Sequence, residues 1–286
     1  MRGTEKLRNK LPDYQGRKIR VFLVIAFIVF IMSVLFQLIV DSLPRLFRNS
    51  EPLQMIAPFF PIIGSTSIIS IGLLIVRKFW RSKDDYLAKF GEKAYQKGFK
   101  FVVTGIPMVF SFIVHGFFSS DLFSPYRIDD TFSYTLGVPI SELLVIIPSY
   151  LLYIRLILAV LFLVLGLIVV FKALSVFGID NMALVYVYYP EESILQNHEI
   201  YSILRHPTYH GLILISIGSI FFRFSVYSII FFLIFLIGIN IHVKFVEEKE
   251  LIQRFGENYE KYRETVPAFF VKLKDFKKYF STLFYN

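Results

Sequence analysis

The chain has 286 residues, of which 55% are hydrophobic, 18% aromatic and only 19% charged, with a mean hydropathy of +0.59. Globular domains run at about half apolar and about a quarter charged, so a soluble domain is excluded and an all-α, polytopic transmembrane helical bundle is expected. With no cysteine, the chain itself holds no disulfide, zinc–thiolate site or cysteine nucleophile, and the net charge of +9 matters through its distribution.

The first apolar run, residues 21–40, exceeds the roughly 7–15 residues of a signal-peptide core. At ~1.5 Å per residue it reaches about 30 Å, enough to span a hydrocarbon core. Three further runs read as spans: residues 56–76, 101–118 and 151–171. Backbone in lipid must satisfy its own hydrogen bonds, so these are helices. Pro58 and Pro61 fall in the first turns of the second run, where a missing N–H costs least, and Pro107 predicts a kink in the third. Pro139 and Pro148 precede the fourth, and the apolar patch 143–147, too short to cross, is expected at the interface.

The last apolar region is broken by Arg223 and reads as a tight antiparallel hairpin, residues 207–222 and 225–243. Pro207 is a favoured first-turn residue, and Arg223 at the turn is expected to reach headgroups. That gives about six crossings.

Basic residues set the expected orientation. Arg2, Lys6, Arg8, Lys10, Arg17, Lys18 and Arg20 precede the first span, and eight lysines and arginines lie between Arg77 and Lys100. The alternate connections carry only Arg45, Arg48 and Arg127. The positive-inside rule therefore predicts cytoplasmic N- and C-termini. In residues 271–286, Leu273, Phe276, Phe280, Leu283 and Phe284 recur at helical spacing among four lysines. That pattern fits an amphipathic helix on an anionic leaflet, or one packed on the protein body. The chain thus divides into an N-terminal region (1–150), a membrane core (151–270) and this helix (271–286).

Chemistry concentrates at the two ends of the hairpin. Before it comes Arg205-His206-Pro207-Thr208-Tyr209-His210-Gly211; after it come Glu247-Glu248, then Phe255-Gly256-Glu257-Asn258-Tyr259-Glu260-Lys261-Tyr262, Arg263 and Val266-Pro267. Charged groups of both signs at one membrane level are costly unless they bind something charged. Gly211 leaves room for a helix or a ligand to approach the backbone. A faint echo, Phe90-Gly91-Glu92 followed by Tyr95, has no Arg-His-Pro counterpart. The five histidines show no metal-binding helix pair, so no metal is expected, and no Walker, GxSxG or GxGxxG element is present.

The order RHPxYxG, hairpin, EExxL, FGxxYxxY, VP resembles the C-terminal core of the isoprenylcysteine carboxyl methyltransferase family, which is related to the membrane phospholipid methyltransferases. The resemblance covers about residues 185–270 and implies an S-adenosylmethionine site built from Arg205, His206, Pro207, Tyr209, Gly211, Glu247 and Glu248. Tyr259, Tyr262 and Arg263 would cap it. The implied acceptor is a lipid or prenylated substrate within the bilayer, first the carboxylate of an isoprenylcysteine-like substrate and alternatively a phospholipid amine. A carboxylate acceptor would be oriented by Arg205, Arg263 or His206, whereas an amine would call on His206 as base. Two departures stand: Glu199-Ile200-Tyr201 replaces the family's Gly-Pro-Tyr, and membrane sterol reductases share the general layout but differ at the acidic pair. An NADPH-dependent reductase and a non-enzymatic membrane scaffold are the readings from other classes.

Overall fold

The computed structural model describes residues 2–47, 49–117 and 150–284. Phe118, Arg48, Arg127, Pro139, Pro148 and the patch 143–147 lie outside the described residues. Among the described residues all regular structure is helical. The main helices are α1 (Thr4–Asn9), α2 (Arg20–Leu46), α3 (Phe60–Arg81), α4 (Lys83–Phe90), α5 (Ala94–Phe117), α6 (Tyr150–Phe177), α7 (Pro207–Arg223), α8 (Val226–His242), α9 (Glu248–Phe255), α10 (Glu257–Thr265) and α11 (Phe276–Phe284).

Among the described residues, five stretches are long and apolar enough to cross a membrane: Gly16–Pro44, Glu51–Arg81, Lys83–Phe117, Tyr150–Phe177 and Val226–Phe255. Helix α7 has 17 residues, as does α8, so at ~1.5 Å each it reaches about 26 Å and nearly crosses a hydrocarbon core of about 30 Å, as expected.

The chain separates into two compact units, residues 8–156 with 219–231, and residues 1–7 with 157–218 and 232–286. This division differs from the one read along the sequence: the first turns of the chain group with the C-terminal part, and the hairpin tip with the N-terminal part.

In the unit containing residues 8–156, α2, α3 and α5 pack as a three-helix bundle. Gly72 and Gly105 meet at one crossing, where a Cβ on either would lie 2.8 Å from the other's carbonyl oxygen. Small residues of this kind let helices approach where lipid supplies no hydrophobic drive. A buried polar network joins the same helices. His115 Nε2 lies 2.7 Å from Asp41 Oδ2 and His115 Nδ1 2.9 Å from Ser65 Oγ, while Gln37 Nε2 donates to Ser111 Oγ at 2.9 Å. The sequence reading passed over Asp41, Ser65, Ser111 and His115, because each is a lone polar residue until the helices are assembled. Ser65 is 2% exposed and His115 fully buried, so the cluster fastens the bundle.

The hairpin tip corrects an expectation: Arg223 is buried rather than reaching outward. Beside it Phe224 adopts φ +52°, and Ser225 and Ser228 cap each other reciprocally, each N–H donating to the other's Oγ at 3.1 and 3.3 Å.

In the unit holding residues 157–218, α6 crosses α7 on small residues one heptad apart. A Cβ on Gly166 would meet Gly211 O at 2.7 Å, and one on Gly218 would meet Ala159 O at 3.1 Å. Val169, Ile200, Leu204, Leu214 and Tyr279 form the core beside this crossing. The two readings of the C-terminal helix each describe one face of it. Tyr279 is buried and meets His210 Nε2 at 3.0 Å, while Leu273, Phe276, Phe280 and Phe284 remain exposed among exposed lysines.

The Phe-Gly-Glu echo extends to the backbone. Gly91 (φ +52°, ψ −125°) and Gly256 (φ +56°, ψ −135°) each end one helix and open the next, in a conformation that L side chains rarely adopt.

Two outcomes test this packing. Gly166→Val should lower stability by about 1–3 kcal/mol through overpacking, read as a lowered thermal midpoint in detergent. His115→Ala, which strands buried partners, should cost about 1–3 kcal/mol; a midpoint equal to that of the parent chain would show that the network holds nothing.

Candidate active site

Two backbone rungs position the Arg-His-Pro loop. The N–H of Arg205 donates to Pro267 O at 2.9 Å, and that of His206 to Ala268 O at 3.1 Å. The Val-Pro element downstream is therefore the loop's pairing partner. Pro207 then begins α7 with a nitrogen that needs no partner. Upstream, Ile200 and Leu204 are fully buried, and Tyr262 Oη donates to Tyr201 O at 2.5 Å. The tyrosine that survives from the family's Gly-Pro-Tyr is thus an anchor, held through its carbonyl.

The glutamates arrive on an irregular turn. Between α8 and α9, residues Val243–Glu247 form a π-helical turn. Wider spacing of this kind occurs often at functional sites. His242 and Glu247, five apart, come to one face with Nε2 3.5 Å from Oε1. A 3.6-residue period would not have paired them, which is why His242 was missed.

The charges then meet. Arg205 donates through Nε (3.1 Å) and Nη2 (2.5 Å) to Glu248 Oε1, and through Nη1 to Arg263 O (2.7 Å) and Val266 O (2.5 Å). His206 Nδ1 lies 3.3 Å from Glu247 Oε2, and its Nε2 lies 3.5 Å from Glu248 Oε1 without hydrogen-bond alignment. Tyr209 Oη donates to Glu247 Oε1 at 2.6 Å. Phe269 closes against the rings of His206 and Tyr209. Burial would lower the His206 pKa, but the carboxylates of Glu247 and Glu248 outweigh it and hold it above the ordinary imidazole value.

The structure therefore brings together Arg205, His206, Tyr209, Glu247 and Glu248. Tyr259 is fully buried beside them, its hydroxyl without a hydrogen-bond partner; burial, then the Glu248 charge, keep it well above the usual phenol range and so a donor. Three expected site residues serve otherwise. Gly211 is filled by the α6 crossing, Tyr262 spends its hydroxyl on Tyr201, and the side chain of Arg263 is exposed, only its carbonyl reaching the cluster. No cluster of three or more metal-ligating side chains occurs among the described residues.

A polytopic helical membrane protein with a mixed-charge cluster at the open end of a helical hairpin is the class these observations define. Residues 154–258 match the family model described as phospholipid methyltransferase, which supports a membrane methyltransferase. The match contains Arg205 through Gly211 and both glutamates; Tyr259, Tyr262 and Arg263 lie just beyond it. No curated protein and no solved structure matches the chain.

The raised pKa of His206 gives a pH dependence. Its contacts contribute fully below the ordinary value of about 6.5 and fade as pH rises through the raised one. The thermal midpoint of the parent should therefore fall more between about pH 6 and about pH 9 than that of His206→Asn; parallel profiles would contradict this.

Proposed function

We propose that the chain transfers a methyl group from S-adenosylmethionine to a lipidic acceptor at the Arg205–Glu248 cluster. The observation that carries this reading is the meeting of Arg205 and His206 with two carboxylates in one part-buried cluster inside the matched region. The donor set fits a ligand bearing ammonium, carboxylate and sulfonium groups, and the unpartnered hydroxyl of Tyr259 offers a further contact. Bound there, S-adenosylmethionine would supply an activated methyl group. Glu247 and Glu248 would hold its positive groups and Arg205 its carboxylate, each exchanging a present partner for the ligand. Methyl transfer is an in-line displacement, so the chain's task is positioning and exclusion of water.

The acceptor we favour is the amine of a phospholipid, in keeping with the family description of residues 154–258. The Glu247 and Glu248 carboxylates favour the protonated form of His206, which suits it less as a base for an amine. The carboxylate of an isoprenylcysteine-like substrate is the second reading, favoured by the motif order and by the cations Arg205 and His206. In either case the positive-inside pattern supports a cytosol-facing site.

Glu248→Gln should weaken S-adenosylmethionine binding at least about tenfold, about 1.4 kcal/mol, by calorimetry on folded protein. Unchanged affinity in Glu247→Gln, Glu248→Gln and the double variant would remove the basis for the pocket. Binding of NADPH in place of S-adenosylmethionine would instead favour a reductase. Labelled methyl donor with phospholipid or prenylcysteine acceptors distinguishes the two substrates.

A further inference from the structure

The C-terminal helix α11 has three sides with different surroundings. At about 100° per residue, Tyr279 marks the first side, Phe276, Phe280 and Phe284 the next, and Lys277 and Lys278 the one beyond. Tyr279 is 3% exposed and sits in the core with Val169 and Val176, toward the end of α6. The aromatic side stays outside: Phe276, Phe280 and Phe284 are exposed, as are Phe270 and Leu273 just before the helix, the last at 89%.

Two observations say what covers that side. Tyr279 is anchored against α6, which is long and apolar enough to cross a membrane, so α11 lies beside a span and close to the bilayer around it. The charges agree. Residues 271–284 carry Lys272, Lys274, Lys277 and Lys278 against Asp275 alone, four positive charges and one negative, a net of +3. Lys272 Nζ is committed to Thr265 O at 2.6 Å, which leaves Lys274, Lys277 and Lys278 pointing to the surface, all three exposed. The acid nearest by packing is Glu199, on the turn Glu199–Ser202 that α11 covers; it pairs with Lys172 at 3.0 Å and so does not cancel these lysines. Exposed rings flanked by lysines, on a helix tied to a span, match hydrocarbon under the rings and anionic phosphate beside the lysines.

We propose that this side of α11 docks on the anionic face of a lipid bilayer, and that docking braces the Arg-His-Pro loop. The brace is a short chain of contacts. Tyr279 Oη meets His210 Nε2 at 3.0 Å, in the first turn of α7. The stretch leading into α11 carries Pro267 and Ala268, whose carbonyls accept from the N–H groups of Arg205 and His206. Phe269 follows them and closes on the His206 and Tyr209 rings, while its neighbour Phe270 faces outward. The lipid is here a charged surface, distinct from any substrate, and the inference does not rest on methyl transfer.

The chain has no cysteine, so one introduced thiol is a unique reporter. Leu273→Cys and Phe280→Cys place it on the apolar side, and Ser281→Cys beside the lysines. In the full chain, with a single copy per nanodisc, alkylation of the first two by an uncharged maleimide should be at least about tenfold slower in phosphatidylglycerol than in phosphatidylcholine. Ser281→Cys should react alike in both lipids. Adding Lys274→Gln, Lys277→Gln and Lys278→Gln together should erase the difference. Hydrogen exchange at the Arg205 and His206 amides should slow in the anionic discs, and the lysine variant should lose that response. Equal alkylation in the two lipids would overturn the docking, and unchanged amide exchange beside protected thiols would overturn the brace. Protection that appears only with two copies per disc would assign the surface to a second copy of this chain and overturn the proposal too.

Discussion

One guanidinium gathers the candidate active site. Arg205 donates to Glu248 from two nitrogens and to the carbonyls of Arg263 and Val266 from a third, while its own backbone N–H pairs with Pro267. Stretches 43, 58 and 61 residues further along the chain are thereby drawn to the loop before the hairpin: the start of α9, the end of α10 and the Val-Pro stretch that follows it. A buried ion pair of this kind adds little net stability against an apolar substitute, but removing one partner alone is expensive. It therefore specifies an arrangement more than it strengthens one. A ligand carrying both charges could take over the contacts that the two clusters now give each other.

Glycine supports the same site from beneath. The Gly166–Gly211 contact lets α6 and α7 approach closely enough for backbone oxygen to meet backbone, and α7 starts at Pro207, directly after the charged pair. A bulkier residue would shift the helix that carries Tyr209. In the unit of residues 8–156 the same device recurs at Gly72–Gly105, there joined by the His115–Asp41–Ser65 network. In each unit, helices with little hydrophobic reason to associate within lipid are held by close approach and by hydrogen bonds between side chains.

Much of the helical layout was legible in sequence, because a hydrocarbon core forces apolar runs of a minimum length and forbids unpaired backbone. Arg223 shows a limit: an arginine at a predicted turn is expected outside, yet in the assembled chain it is buried. The site was partly legible. Arg205, His206, Tyr209, Glu247 and Glu248 stand out by charge and spacing, but Gly211, Tyr262 and Arg263 carry the same motif while serving packing and backbone support.

By itself, then, the sequence determined that this is a helical membrane protein with a charged hairpin mouth, since hydropathy and charge order are properties of the chain read in line. Tertiary structure alone decided which charges touch, that a π-helical turn brings His242 onto Glu247, and that Asp41 and His115 meet inside the bundle. Such contacts depend on rotation and close approach of helices, and neither is written in residue spacing when the turns connecting them depart from the regular 3.6-residue period.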